Sequence, residues 1–298
     1  MLTGVLLSGC SAQGPLPASA DPFEPSPTSA GPPVPTLIPL ASTAPVRVGT
    51  PPTEPAPSLT AEEWKSWPIV PQVPVHVREV FAAGQALGKD AHAFSILGDC
   101  QSLPETFLGV YDTDPWVVAA LPARLQETVA YFAGSFGRES PTIKEGTTAG
   151  ALLWIEWHEG KYTCRDNETP VDCELRLHRP AFVIINVGTH YESRNIDYLR
   201  RILDQLVAGG VVPILATKAD NRELDERINL DMATLALEYD VPLWNFWAAT
   251  GDLPNRGLYT KTSEPHLGDI YLNDEGLERH RLTALQTLDV VRRMALGE

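Results

Sequence analysis

Ala93-Phe94-Ser95-Ile96-Leu97-Gly98-Asp99-Cys100-Gln101-Ser102 is the stretch on which the fold reading turns. Five mostly apolar residues that stop at a Gly-Asp pair read as a short buried strand. Such a strand delivers the next side chain to the C-terminal edge of a sheet, where open α/β folds place their ligands. The side chain delivered here is the thiol of Cys100. Further along, Phe182-Val183-Ile184-Ile185-Asn186-Val187 is apolar except for one Asn and rich in β-branched residues, which suits a parallel strand buried on both faces. Residues 211–216 read as another strand, with Pro213 near its start, and 242–247 as a last short one. Helical spacing falls on 77–87, 114–132, 196–208, 224–239 and 275–296. Strands alternating with helices in this way predict an α/β chain: a doubly wound, three-layer α/β/α sandwich with a mostly parallel sheet.

The N-terminal fifth is different in kind. Leu7-Ser8-Gly9-Cys10 resembles a bacterial lipobox, so residues 1–10 read as a truncated lipoprotein signal with Cys10 as the lipidated residue. Residues 11–60 are dominated by Pro, Ala, Ser and Thr. They cannot bury enough surface to offset the entropy of ordering. This segment is expected to be a disordered tether, able to extend roughly 100 Å or more in PPII geometry. The domain proper is 61–298. No other segment approaches the roughly 20 apolar residues of a membrane span. The expectation is an exported, membrane-anchored bacterial lipoprotein that meets the membrane only through its N-terminal lipid. A formal charge of −15 argues against nucleic-acid partners.

The chain has four cysteines. With Cys10 assigned to lipid, Cys164 and Cys173 stand nine apart in a polar segment and read as a disulfide in an oxidising compartment. No second Cys or His pair has zinc-site spacing, so no metal is expected. Cys100 is left unpaired.

Gly98-Asp99-Cys100 resembles the first sequence block of the SGNH (GDSL-type) hydrolases, with cysteine where the nucleophilic serine belongs. The resemblance runs from about Ala93 to the C-terminus and matches the SGNH/flavodoxin-like layering. Gly146 in Gly146-Thr147-Thr148 matches the second block, whose glycine N–H helps hold an oxyanion. His190 in Val187-Gly188-Thr189-His190-Tyr191 stands in place of the third-block asparagine. Ser263-Glu264-Pro265-His266-Leu267 is preferred for the last block, keeping the histidine as His266 and putting Ser263 in the acid's place. A competing alignment puts Tyr271 at the histidine.

The resemblance implies acyl transfer without a cofactor on a small-molecule or glycan ester, such as a carbohydrate or cell-envelope ester. Cys100 would attack as a thiolate of lowered pKa at a helix N-terminus. His266 would act as base, oriented by Glu264 or Asp269, and the oxyanion would be held by the N–H groups of Cys100 and Gly146 and by His190. The alternative is a catalytically inactive domain that binds a glycan or protein partner. Asp99 is expected to bond loop N–H groups near the site, and Asn221, at the end of a strand, to bind ligand or cap the next helix. Ser102 is a fallback nucleophile. His158 and His280 read as surface or helix-face residues. Trp154, Trp157, Trp244 and Trp247 are assigned to core packing in preference to an aromatic shelf for a sugar ring.

Overall fold

The computed structural model describes residues 59–260 and 270–298. Cys10, the tether up to residue 58, and Ser263, Glu264, His266 and Asp269 lie outside the described residues. Four strands, β1 (Asp90–Gly98), β2 (Pro180–Asn186), β3 (Val212–Ala216) and β4 (Leu243–Trp244), form one sheet in the order β1-β2-β3-β4. Every pairing is parallel. The helices are α1 (His76–Ala86), α2 (Val110–Thr113), α3 (Pro115–Ala119), α4 (Ala123–Tyr131), α5 (Pro170–Leu177), α6 (Asn195–Ala208), α7 (Arg227–Glu238), α8 (Phe246–Ala249) and α9 (Asp274–Leu296).

Alternation along the strands divides the core into two layers, because successive strand side chains point to opposite faces. Phe94, Ile96, Phe182, Ile184, Val212, Ile214 and Trp244 face one cluster with Val80 and Phe81 of α1, Leu125 of α4 and Leu288 of α9. Leu97, Val183, Ile185, Leu215 and Leu243 face the other, with Leu199, Ile202 and Leu206 of α6 and Met232 of α7. This is the doubly wound α/β/α arrangement that the sequence predicts.

Several local expectations are corrected. The helix expected over 114–132 is two, because Pro122 has no N–H to donate and disfavours helical backbone at Leu121. The last strand stops at Trp244, since the Asn245 side chain accepts from the Ala248 N–H and starts α8. Helix α7 begins at Arg227, three residues later than expected. Helix α5 lies in a segment read only as a disulfide loop. It is begun by a capping box between Thr169 and Asp172, with Pro170 in its first turn. Cys173 on α5 is bonded to Cys164.

The topology gathers four loops at one edge. Ile143 makes a parallel bridge with Gly98, the Gly98 N–H donates to Thr142 O (3.0 Å), and Thr142 Oγ1 donates to Ile96 O (2.6 Å). The segment carrying Gly146 therefore leaves the sheet beside the end of β1. The turns after β1, β2 and β3 open at the same edge. A Cβ on Gly98 would overlap Ser102 Cβ and Oγ, so the turn into Cys100 closes only on glycine. Gly98→Ala is expected to lower unfolding stability by about 1–3 kcal/mol in urea melts; an unchanged midpoint would contradict that packing.

Candidate functional site

The edge is organised around a buried carboxylate. Asp99 caps the single 3₁₀ turn Cys100–Ser102, accepting from the Gln101 N–H (3.2 Å). Its other oxygen accepts from the Thr189 N–H (3.2 Å), and the Gly188 N–H adds a third bond. Asp99 thus ties the turn after β1 to the turn after β2, as loop-bonding reasoning predicted. Burial pushes its carboxyl up to about 7, helped by the charge of Asp220 and opposed by those backbone donors.

Cys100 is 2% exposed. The expected lowering of its pKa is reversed: desolvation, then the charges of Asp99, Asp220 and Glu145, push the thiol up to about 12. A single turn offers little helix dipole, and three carboxylates oppose the thiolate. The group placed against the thiol is the Tyr271 hydroxyl, which bonds to Cys100 and to Glu145 (3.4 Å to Oε1). Desolvation first, then Cys100 and Glu145, push that phenol up to about 12. Gln101 Nε2 donates to Ile270 O (2.6 Å), fastening the residues before α9 over the same turn. Of the two placements for the last block, Tyr271 is at the thiol, and His266 is outside the described residues.

Beyond Thr189 the network is ionic. Thr189 Oγ1 donates to Asp220 (2.8 Å), and the buried Lys218 ammonium bonds Asp220 (2.8 Å) and Glu223 (2.6 Å). Asn229 fixes the Lys218 backbone through both its amide groups. Arg222 donates to Thr189 O (3.2 Å) and lies 3.5 Å from His190 Nδ1. Desolvation and then Arg222 push His190 down, so its ring is neutral near pH 7. His190, Gly146, Thr148, Thr189, Tyr191 and Arg222 line an open depression of about 430 Å³. Gly146 has φ +78° and open space on its Cβ side. Asn221 is turned to local structure, its Oδ1 accepting from the Glu226 N–H (3.1 Å).

Ser102 is buried, accepting from Asn186 Nδ2 (2.9 Å), which also approaches His280 Nε2 (3.3 Å). His280 is not on a surface. It stacks among Phe107, Trp244 and Phe246, and burial pushes it down to about 3. His158 is also buried, bonded to Glu168 O and to the Gly160 N–H. Trp244 fits the core expectation, but Trp154 is 52% exposed. Among the described residues no three His, Cys, Asp or Glu side chains converge as a metal set.

Sequence reasoning missed Glu145 and Arg222, single charged residues beside matched positions that nothing in the one-dimensional pattern distinguishes. Scanned against family models and curated proteins, the sequence matches none. Among solved structures it is similar to a GDSL-like lipase from Bacteroides thetaiotaomicron. The identity is 15%, over 72% of this chain and 98% of that one, with a TM-score of 0.41.

Two measurements follow from the buried pair. In a Cys10→Ser chain, Ellman's reagent at pH 8 is expected to label Cys100 about 1000-fold more slowly in the native than in the unfolded state. A pKa of about 12 leaves only about one thiol in ten thousand ionised there; equal rates would contradict the burial. Asp99 titrates near 7 when folded and near its ordinary value of 3.8 when unfolded, so the folded chain binds the extra proton between those values. Its contribution is favourable below about pH 4 and is lost as pH rises through 7, by on the order of 4 kcal/mol. Asp99→Asn is expected to flatten that decline in denaturant melts at pH 4 to 8.

Proposed function

We propose that the chain is a carbohydrate-binding domain on a hydrolase-like α/β/α fold, in which Cys100 packs the sheet edge rather than attacking an ester. One observation carries this reading: the thiol is buried with the Tyr271 hydroxyl bonded to it, and the nearby charges of Asp99, Asp220 and Glu145 oppose its ionisation. A phenol that titrates near 12 does not accept the thiol's proton at neutral pH, and the carboxylates raise the cost of a thiolate. The lining of the neighbouring depression supports a polar, hydroxyl-rich ligand. Thr148, Tyr191, His190 and Arg222 offer donors and acceptors there with little apolar wall.

An exported setting is part of the proposal. The Cys164–Cys173 disulfide supports it, since such bonds persist in oxidising compartments. With lipid on Cys10, the Pro-rich segment would hold the domain away from the membrane surface.

The competing reading is a thiol hydrolase acting on a carbohydrate or cell-envelope ester through Cys100 and His266. The feature that favours it is Gly146, whose backbone borders the depression where an oxyanion donor would be needed. Hydrolysis of p-nitrophenyl acetate by the full chain, beside Cys100→Ala and His266→Ala, separates the two. The binding reading predicts the same slow background, within about twofold, in all three proteins. A rate that falls 100-fold or more in both variants would establish the hydrolase.

A further inference from the structure

A second depression, of about 380 Å³, opens beside the first and shares Gly146 and Thr148 with it. Its distinctive wall is aromatic: Trp154, Trp157 and Tyr198, with Glu192 and Arg201 among them. The two indoles are not equivalent. Trp157 is scaffold, its Nε1 donating to Thr147 Oγ1 (3.3 Å) and its ring face covered by the Lys144 ammonium at 4.5 Å. Trp154 lies 6.4 Å from it between centroids and is half exposed, so its ring is available to a ligand.

The polar side of the depression is built. Glu192 accepts from Thr148 Oγ1 and from the Gly150 N–H (3.1 Å), which fixes the carboxylate. Glycine at 150 leaves room for it, since a Cβ there would stand 2.6 Å from Glu192 Oε1. Two donors occupy two directions on the carboxylate, and its remaining lone pairs can accept further hydrogen bonds. Arg201 is exposed and has no bonded partner among the described residues. A half-exposed indole beside a fixed acceptor and a free donor suits a pyranose, whose C–H face covers an aromatic ring and whose rim carries hydroxyls that both donate and accept.

We propose that Trp154 is the stacking platform of a saccharide subsite in which Glu192 and Arg201 take the hydroxyls of a neutral sugar ring. The subsite continues across Gly146 and Thr148 into the sheet-edge depression, so the ligand spans more than one sugar. The proposal rests on the carbohydrate reading above and adds the place and the ligand class.

The test is affinity electrophoresis of the full chain in gels containing dextran, glucomannan, xylan or, as an anionic comparison, polygalacturonate. Trp154→Ala, Trp154→Phe, Glu192→Gln and His190→Ala/Arg222→Ala chains run beside it, each with its melting curve. One neutral polysaccharide is expected to retard the wild type and Trp154→Phe alike. Trp154→Ala is expected to bind about tenfold more weakly, with an unchanged melt, and Glu192→Gln to weaken in the same direction. Undiminished retardation of Trp154→Ala overturns the subsite, and loss in the His190/Arg222 chain then leaves the sheet-edge reading standing. Binding that needs Trp154 but ignores His190 and Arg222 upholds the subsite and overturns the sheet-edge reading. Retardation by polygalacturonate alone overturns the neutral class, and retardation by none of the four overturns both readings.

Discussion

The Asp99 carboxylate is the constraint on which the rest of the edge depends. It is buried and, among the described residues, has no cation paired with it. Backbone N–H groups of Gln101, Gly188 and Thr189 satisfy it instead. A buried acid held by donors from two separate turns fixes those turns to each other. Gly98 lets the first turn close against Ser102, and Thr189 passes the second on to Asp220 and Lys218. The Asp99 bonds act with those between Ser102 and Asn186 and between Thr189 and Asp220 to hold the Cys100 and His190 turns.

Burial first, and this carboxylate next, hold the thiol protonated. Its charge, with those of Asp220 and Glu145, acts on a thiol already removed from water, and all these effects favour the protonated form. Lys218 is a buried cation nearby, but it is engaged by Asp220 and Glu223. The polar groups that reach solvent lie to one side, around His190 and Arg222, and continue across Gly146 to the Trp154 wall. The edge thus combines a shielded thiol with an open, polar flank.

Much of the fold was legible because buried parallel strands leave continuous β-branched runs, and β2 is buried along its whole length. Helix α5 carried a readable start, Thr169-Pro170-Val171-Asp172, but its polar composition and Cys173 drew attention to the disulfide instead. Pro122 was equally visible as a helix break. The exposure of Trp154 and the burial of His280 were not legible, since each depends on which face of a short turn or long helix meets the sheet. Gly146 and His190 line one depression, while Cys100 is buried in the turn after β1. That Tyr271 reaches the thiol follows from the bond between Gln101 and Ile270, between residues 169 positions apart. The competing alignment of the last block is the local signal that pointed to Tyr271; the contact itself is long-range.

The most direct measurement is peptide mapping by mass spectrometry after the full chain is mixed with p-nitrophenyl acetate at pH 8 and quenched in acid. A thiol held protonated beneath Tyr271 predicts a Cys100-containing peptide of unmodified mass at every time point. An acetyl thioester on Cys100 that forms within a turnover and decays with product release would contradict the account.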